Sequence, residues 1–329
     1  MENDTLQRIA SKYSKMQGTV VDHFMRPLEF LKRVPFITSS HGFYNQYEEF
    51  TNVSGGEFRE FDAPSVQMSA DTSLRQVKLG VIGGEMSVSE EYALHMANGS
   101  TTDAGAAAAQ YFAKQTPQIL NNSGKKTENH FIYKTLYPQM LAYNRKVWSD
   151  AAKRTMISAG GDNNKNYSIF AIRQNPELNC GLVSPCGKNK DEVMYMEWLN
   201  DGARHRIETG KDAGKIGFEA TWKAFLGYQL ACPEYLGAIV NIDPSNASTM
   251  VTASMIDDLI DAVEGDTSDT ILVMCRTMKS KLGALKWEKI DLETKEENMN
   301  TRVLTWNGIE LVGTNTMLKG TEGNATLPA

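Results

Sequence analysis

Between about residues 40 and 88 the apolar positions come in short alternations. Val66 and Met68, then Val77, Leu79 and Val81, are set among polar or small neighbours. A period of two puts such residues on one face of a strand, so the stretch predicts two long antiparallel strands. Gly55-Gly56 supplies a turn, and Gly83-Gly84 predicts a bulge or kink near the return. A two-stranded hairpin is marginal in water, so one this long must lie on another surface, either of its own chain or of another. No other stretch limits the fold as much.

Ahead of the hairpin, Leu6, Ile9, Ala10 and Tyr13 have the spacing of a short amphipathic helix over 5–14. Pro27 suits the start of a second short helix over 27–33, which carries Leu28, Phe30 and Leu31 and stops before Pro35. Neither is long enough to stand alone, so the segment is either a domain's own first helices or an arm lying across a neighbour. After the hairpin, helices are predicted over Glu90–Met96 and over an alanine-rich run from Asp103 to Ile119. A polar linker at Gly124–Asn129, a strand at Phe131–Lys134 and a helix at Pro138–Trp148 should follow.

From 150 to 300 short strands, notably Tyr167–Arg173 and Ala238–Ile242, mix with helices. The clearest helix covers 248–264, with Val251, Met255, Leu259 and Val263 on one stripe and Asp257, Asp258, Asp261 and Glu264 off it. Ile271–Cys275 reads as a buried strand leading to a helix over Thr277–Leu285. Arg302–Trp306 and Ile309–Val312 flank the turn dipeptide Asn307-Gly308, and a flexible tail is expected over Thr321–Ala329.

The chemistry this chain could perform is narrow. Its net charge of -6, with no long run of like charge, disfavours tight nucleic-acid binding; residues 1–35 alone carry a mild basic excess. Cys180, Cys186, Cys232 and Cys275 form no CxxC pair and read as reduced thiols. Neither a signal-peptide profile nor a membrane-length apolar run is present, so folding in a cytoplasm is expected.

Candidate catalytic motifs fail on spacing. Gly181–Lys188 has one residue too many for a phosphate loop and Asn189 where a magnesium-binding hydroxyl belongs. Gly80-Val-Ile-Gly83-Gly84 is not a dinucleotide fingerprint, and His23, His41, His95, His130 and His205 show no zinc spacing. Ser158-Ala-Gly-Gly161-Asp162 reads as a turn, and the acidic residues of 257–264 as a solvated helix face. No catalytic residue, cofactor or metal ligand is nominated, although an enzyme with a dispersed site remains an alternative.

Three local patterns then point to a family. Tyr167-Ser-Ile-Phe-Ala-Ile-Arg173 followed by Gly181-Leu-Val-Ser-Pro185 resembles a Ser-Ile-aromatic strand and Gly-aliphatic-x-Pro turn of the Hong Kong 97-type major capsid proteins of tailed phages. Trp222–Leu230 leading to Ile239-Val-Asn-Ile-Asp243 is similar to their Gly-Leu strand and Arg-Ile-x-Asn-Ile-Asp ending, with Ala238 and no arginine. Ile271–Thr277 resembles their Tyr-Met-Asn-Arg strand end with Cys275 for the asparagine, and Val303–Leu311 their closing Gly-Ile-Pro-Ile-Arg segment with Glu310 for the proline.

The resemblance covers about 130–320, is nearest to the proteins of short-tailed phages, and implies an α+β fold. Its parts would be an N-terminal arm (1–38), an E-loop (39–88), a P-domain with a spine helix (89–150), an A-domain (151–300), and returning P-domain strands with a tail (301–329). It implies a head protein whose copies form hexamers and pentamers of an icosahedral shell around double-stranded DNA, touched weakly and non-specifically. Partners would be a scaffolding protein, a portal and a decoration protein, with assembly in the host cytoplasm and no membrane. An encapsulin-like compartment shell is the alternative within the same fold.

Candidate intersubunit contacts are Leu6, Ile9 and Tyr13 on the arm, and Gly55, Gly56, Phe58, Phe61 and Lys78 on the hairpin. Lys78 has no identifiable acidic catalyst, so a non-covalent shell is expected. No long N-terminal segment to be removed is expected either.

Overall fold

The computed structural model describes residues 24, 27–55, 58–61, 64, 67–99, 101–174, 180–185, 194–284, 290–295 and 301–328. The helix expected over 5–14 lies outside them. Residues 27–34 are turns rather than the expected helix. So short a segment cannot nucleate a helix unaided, and the N–H groups of Phe30 and Leu31 are bound instead by the Glu128 carboxylate, each at 3.2 Å.

Strand β1 (Phe36–Thr38) leads into the hairpin of β2 (Tyr44–Ser54) and β3 (Ser69–Lys78), paired from Tyr44↔Lys78 to Ser54↔Ser69 with one irregularity between Phe50 and Asn52. After Leu79 the chain continues as β4 (Gly80–Ser89), which leaves the hairpin and pairs with β10 (Ile216–Gln229). The kink expected at Gly83-Gly84 is absent: the ladder runs unbroken from Gly80↔Leu226 to Ser89↔Gly217. Gly83 answers instead to close approach, since a Cβ there would lie 2.2 Å from the Trp222 carbonyl oxygen.

Helix α1 (Glu90–Met96) matches expectation. The next helix is far longer than expected. Asp103 caps α2 (Ala104–His130) by accepting the Gly105 N–H, and the helix passes Pro117 and runs without a break through a π-helical segment, Phe131–Leu136, into α3 (Tyr137–Val147). The linker at 124–129 and the strand at 131–134 are therefore corrected to helix. Phe131, Ile132 and Leu136 extend the buried stripe begun by Phe112 and Leu120, and a short apolar run takes the structure its flanks propagate.

The remaining strands are β5 (Met156–Ser158), β6 (Tyr167–Arg173), β7 (Gly181–Ser184), β8 (Met194–Trp198), β9 (His205–Arg206), β11 (Leu236–Ile242), β12 (Thr270–Cys275), β13 (Ile290–Lys295), β14 (Thr301–Trp306) and β15 (Ile309–Thr314). Helices α4 (Ala253–Ala262) and α5 (Arg276–Ala284) flank β12 in sequence. One sheet runs β1-β7-β10-β4, with β8 and β9 also on β10; the other runs β13-β14-β15-β12-β6-β11-β5. Asn307 and Gly308 both hold positive φ, 47° and 83°, the backbone a two-residue turn between twisted strands requires.

A single large core joins the two sheets, Phe24, residues 28–34 and the spine formed by α2, the π segment and α3. A smaller cluster packs α1 and the start of α2 against β4 and β10.

Candidate functional site: the assembly surface

The hairpin is fastened at its foot. There Asn45 donates its side-chain amide to Gln229 at 2.5 Å in a buried bond, and Leu79 N–H bonds the Phe43 carbonyl at 3.0 Å. Tyr47 packs on the core, and burial pushes its phenol above the ordinary value. Beyond the foot the ladder carries Leu74 and the Arg75–Glu49 ion pair at the surface. Phe58 and Phe61 at the tip are fully exposed, with Met68 also exposed at the hairpin's return. Gly55 is exposed, and Lys78 closes the foot opposite Tyr44. Gly56 lies outside the described residues, as do Leu6, Ile9 and Tyr13.

The end of the N-terminal region belongs to this chain's own body. Phe24, Leu28, Phe30, Leu31 and Val34 are buried, and a Cβ on Gly124 would lie 2.4 Å from the Phe24 carbonyl oxygen, so glycine lets the segment touch the spine. Glu128, on the spine, is 0% exposed. Its second oxygen accepts from Thr314 and, at 2.6 Å, from the Thr316 hydroxyl, while the first takes the Phe30 and Leu31 N–H groups. Desolvation raises its pKa and those four bonds oppose the rise. Sequence reading missed Glu128. The signal was its place four residues after Gly124 and eight after Leu120, on the buried stripe.

Arg33 adds a second tie by donating from Nε to Glu310 at 2.5 Å. Glu310, the residue that departs from the resembled closing segment, thus has a partner in this chain. Cys275 caps α5: its Sγ accepts the Met278 N–H at 3.4 Å. Asn241, with a positive φ of 59°, donates to the Ala325 carbonyl at 2.9 Å and accepts the Ala325 N–H at 2.8 Å. Asp243 accepts from Asn163 and from both Ser245 donors.

The tail expected to be flexible is therefore bonded to the body. Glu322, 8% exposed, accepts from Tyr133 and Ser168, and Asn166 bonds Asn324 at 2.7 Å.

The sequence motifs weighed for chemistry are scattered. Gly181–Ser184 is a buried strand; Ser158 caps a turn by accepting the Gly160 N–H at 3.2 Å. His205 bonds Glu219 at 2.8 Å, His41 stacks on Tyr44, and neither joins a metal-ligand set. Among the described residues no group of three His, Cys, Asp or Glu could hold a metal ion, and no helix is long and apolar enough to cross a membrane. Cys180, Cys232 and Cys275 are buried thiols outside any disulfide; Cys186 lies outside the described residues.

The family model described as "Major capsid protein GP7" matches residues 114–324, more than half of the chain. No curated protein matches. Among solved structures, bacteriophage Epsilon15 is 14% identical, with a TM-score of 0.47 over 87% of both chains. The bacteriophage JBD30 capsid is 9% identical, with a TM-score of 0.45 over 88% of this chain and 91% of that one. The JBD30 capsid decorated with minor capsid protein trimers is 10% identical, at 0.44, over 89% and 91%. The chain belongs to the major capsid protein GP7 family: it is a structural shell protein of a capsid, with an α+β fold, and not an enzyme.

Proposed function

We propose that copies of this chain close into hexamers and pentamers of an icosahedral head holding double-stranded DNA, with the hairpin as an intersubunit element. The observation that carries this reading is the hairpin itself, fastened at its foot by Asn45 and Gln229 and ending in two fully exposed phenylalanines. Isolated chains would leave that apolar tip in water, whereas repeated heterologous contacts would cover it. In this reading residues 39–88 are the E-loop, 89–150 the P-domain with its spine, 151–300 the A-domain, and 301–329 the returning strands and tail. Residues 1–38 are the arm, with its far end, Leu6, Ile9 and Tyr13, on a neighbour. Strands of 151–300 and 301–329 share one sheet.

The net charge of -6 suits a wall that touches packaged DNA weakly. Assembly takes place in the host cytoplasm with a scaffolding protein and a portal, a decoration protein sits on the outside, and the shell is held without covalent crosslinks. The family favours the phage head over an encapsulin-like compartment. Electron microscopy after size exclusion, on the protein expressed alone and with the product of its upstream neighbouring gene, tests the reading. Capsomers or closed shells are expected. A stable monomer or dimer under both conditions would overturn it.

A further inference from the structure

Two of the buried thiols meet at one end of a sheet. Strand β7 pairs antiparallel with the end of β10, Gly181 opposite Gln229. Cys180, one residue ahead of β7, and Cys232, three residues beyond Gln229, are thereby brought to the same edge. There the Cys232 thiol donates a hydrogen bond to the Cys180 sulfur, and the backbone N–H groups of Ala231 and Cys232 donate to that same sulfur. The Arg173 guanidinium, 4.6 Å from the centre of the Tyr235 ring, adds positive charge nearby. Cys180 is 0% exposed and Cys232 5%, so bulk solvent reaches neither freely.

A thiol carries its own proton and accepts weakly, so three donors converging on one sulfur favour the thiolate there. The bond from Cys232 outweighs desolvation and, with the two N–H groups and Arg173, holds the Cys180 thiol below the usual thiol range; the same bond and burial push Cys232 up. A nucleophilic sulfur thus touches a second thiol that keeps its proton. We propose that Cys180 and Cys232 form an oxidisable pair, with Cys180 attacking a peroxide and Cys232 closing the intrachain disulfide. The Cys180 thiolate attacks one oxygen of hydrogen peroxide, the O–O bond breaks, and Cys180 becomes a sulfenic acid while the hydroxide released takes up the proton the thiol had lost. The Cys232 sulfur then attacks the Cys180 sulfur, the S–O bond breaks, and the departing hydroxyl leaves as water with the Cys232 proton. Two thiols lose two electrons and one peroxide becomes two waters. A peroxide is small enough to reach sulfurs this deep, which bulkier disulfide reagents are not. The crosslink would staple the start of β7 to the segment after β10, in an oxidising medium and not in a reducing one. None of this depends on how copies of the chain assemble.

The test needs no variant to begin with. The full folded chain is exposed to excess hydrogen peroxide, the peroxide is removed, and the chain is unfolded without reductant, alkylated with iodoacetamide and digested for mass spectrometry. The expected product is a peptide pair joined through Cys180 and Cys232, lighter by about 2 Da than the two thiol peptides together, with Cys275 recovered alkylated. Cys180 and Cys232 recovered as separate alkylated or over-oxidised peptides, or either one joined to a different cysteine, would overturn the proposal. Two variants, each checked for folding by circular dichroism, then assign the roles. Cys232→Ser should leave a sulfenic acid on Cys180 that dimedone captures, and Cys180→Ser should leave Cys232 a thiol under the same exposure. Dimedone capture on Cys232 of the Cys180→Ser chain, with none on Cys180 of the other, would overturn the assignment of Cys180 as the attacking sulfur.

Discussion

Trp306 donates its indole N–H to the Asp257 carboxylate at 3.0 Å, so a residue of the exposed-looking acidic side of α4 is tied to a fully buried ring on β14. Asp258 and Asp261, by contrast, are exposed. A buried indole N–H left without its acceptor costs about 1–3 kcal/mol. Asp257→Ala should lower unfolding stability by that amount in a denaturant titration, whereas Asp258→Ala and Asp261→Ala should stay within about 0.5 kcal/mol.

Glu128 should show its buried state through pH. Its folded pKa is raised from 4.5, so between that value and the higher folded one the folded state holds a proton that the unfolded chain has lost. Stability from this group therefore falls as pH rises through the window. Glu128→Gln removes the titration while keeping an acceptor for Phe30 and Leu31, and its stability should vary less with pH over that range. Glu128→Ala strands two buried N–H groups and should cost about 3–5 kcal/mol. Chemical denaturation of the two variants at pH 4.5 and pH 7 checks both.

Cys275 should behave as a cap and not as a reactive thiol. It is 1% exposed, and burial pushes its pKa up, which disfavours the thiolate. Cys275→Ser keeps an acceptor for the Met278 N–H and should be nearly neutral, while Cys275→Ala should cost about 1 kcal/mol. Thermal unfolding reads the difference, and thiol labelling of the folded chain should leave Cys275 unmodified.

Arg33 and Glu310 should set how firmly residues 27–34 hold to the body. The Arg33 side chain is 23% exposed and that of Glu310 7%, so solvent screens part of the attraction. Glu310→Ala should therefore weaken the contact by about 1–2 kcal/mol. The expected readout is faster amide hydrogen exchange at Phe30 to Val34, with exchange in β6 unchanged.

What the sequence determined by itself was local: the Glu90–Met96 helix, the Tyr167–Arg173 strand, the buried Ile271–Cys275 run and the Asn307-Gly308 turn. In each, the periodicity, the alternation or the positive-φ preference of a dipeptide acts over a few residues and leaves few alternatives. The ordered motifs around 167–185, 222–243 and 271–311 carried the family as well, because they are short strands and strand ends read directly as residues. Tertiary structure alone decided the rest. Phe131–Lys134 has a strand's composition, yet it continues the spine helix because α2 delivers it, already helical, onto the core. Residues 27–34 gave up a helix because Glu128, nearly a hundred positions away, bound two of their N–H groups. The tail is held because Asn241, Ser168 and Tyr133 meet it from distant elements. Contacts between residues so far apart in sequence leave no periodic trace, since each depends on where the chain returns and not on the residues beside it.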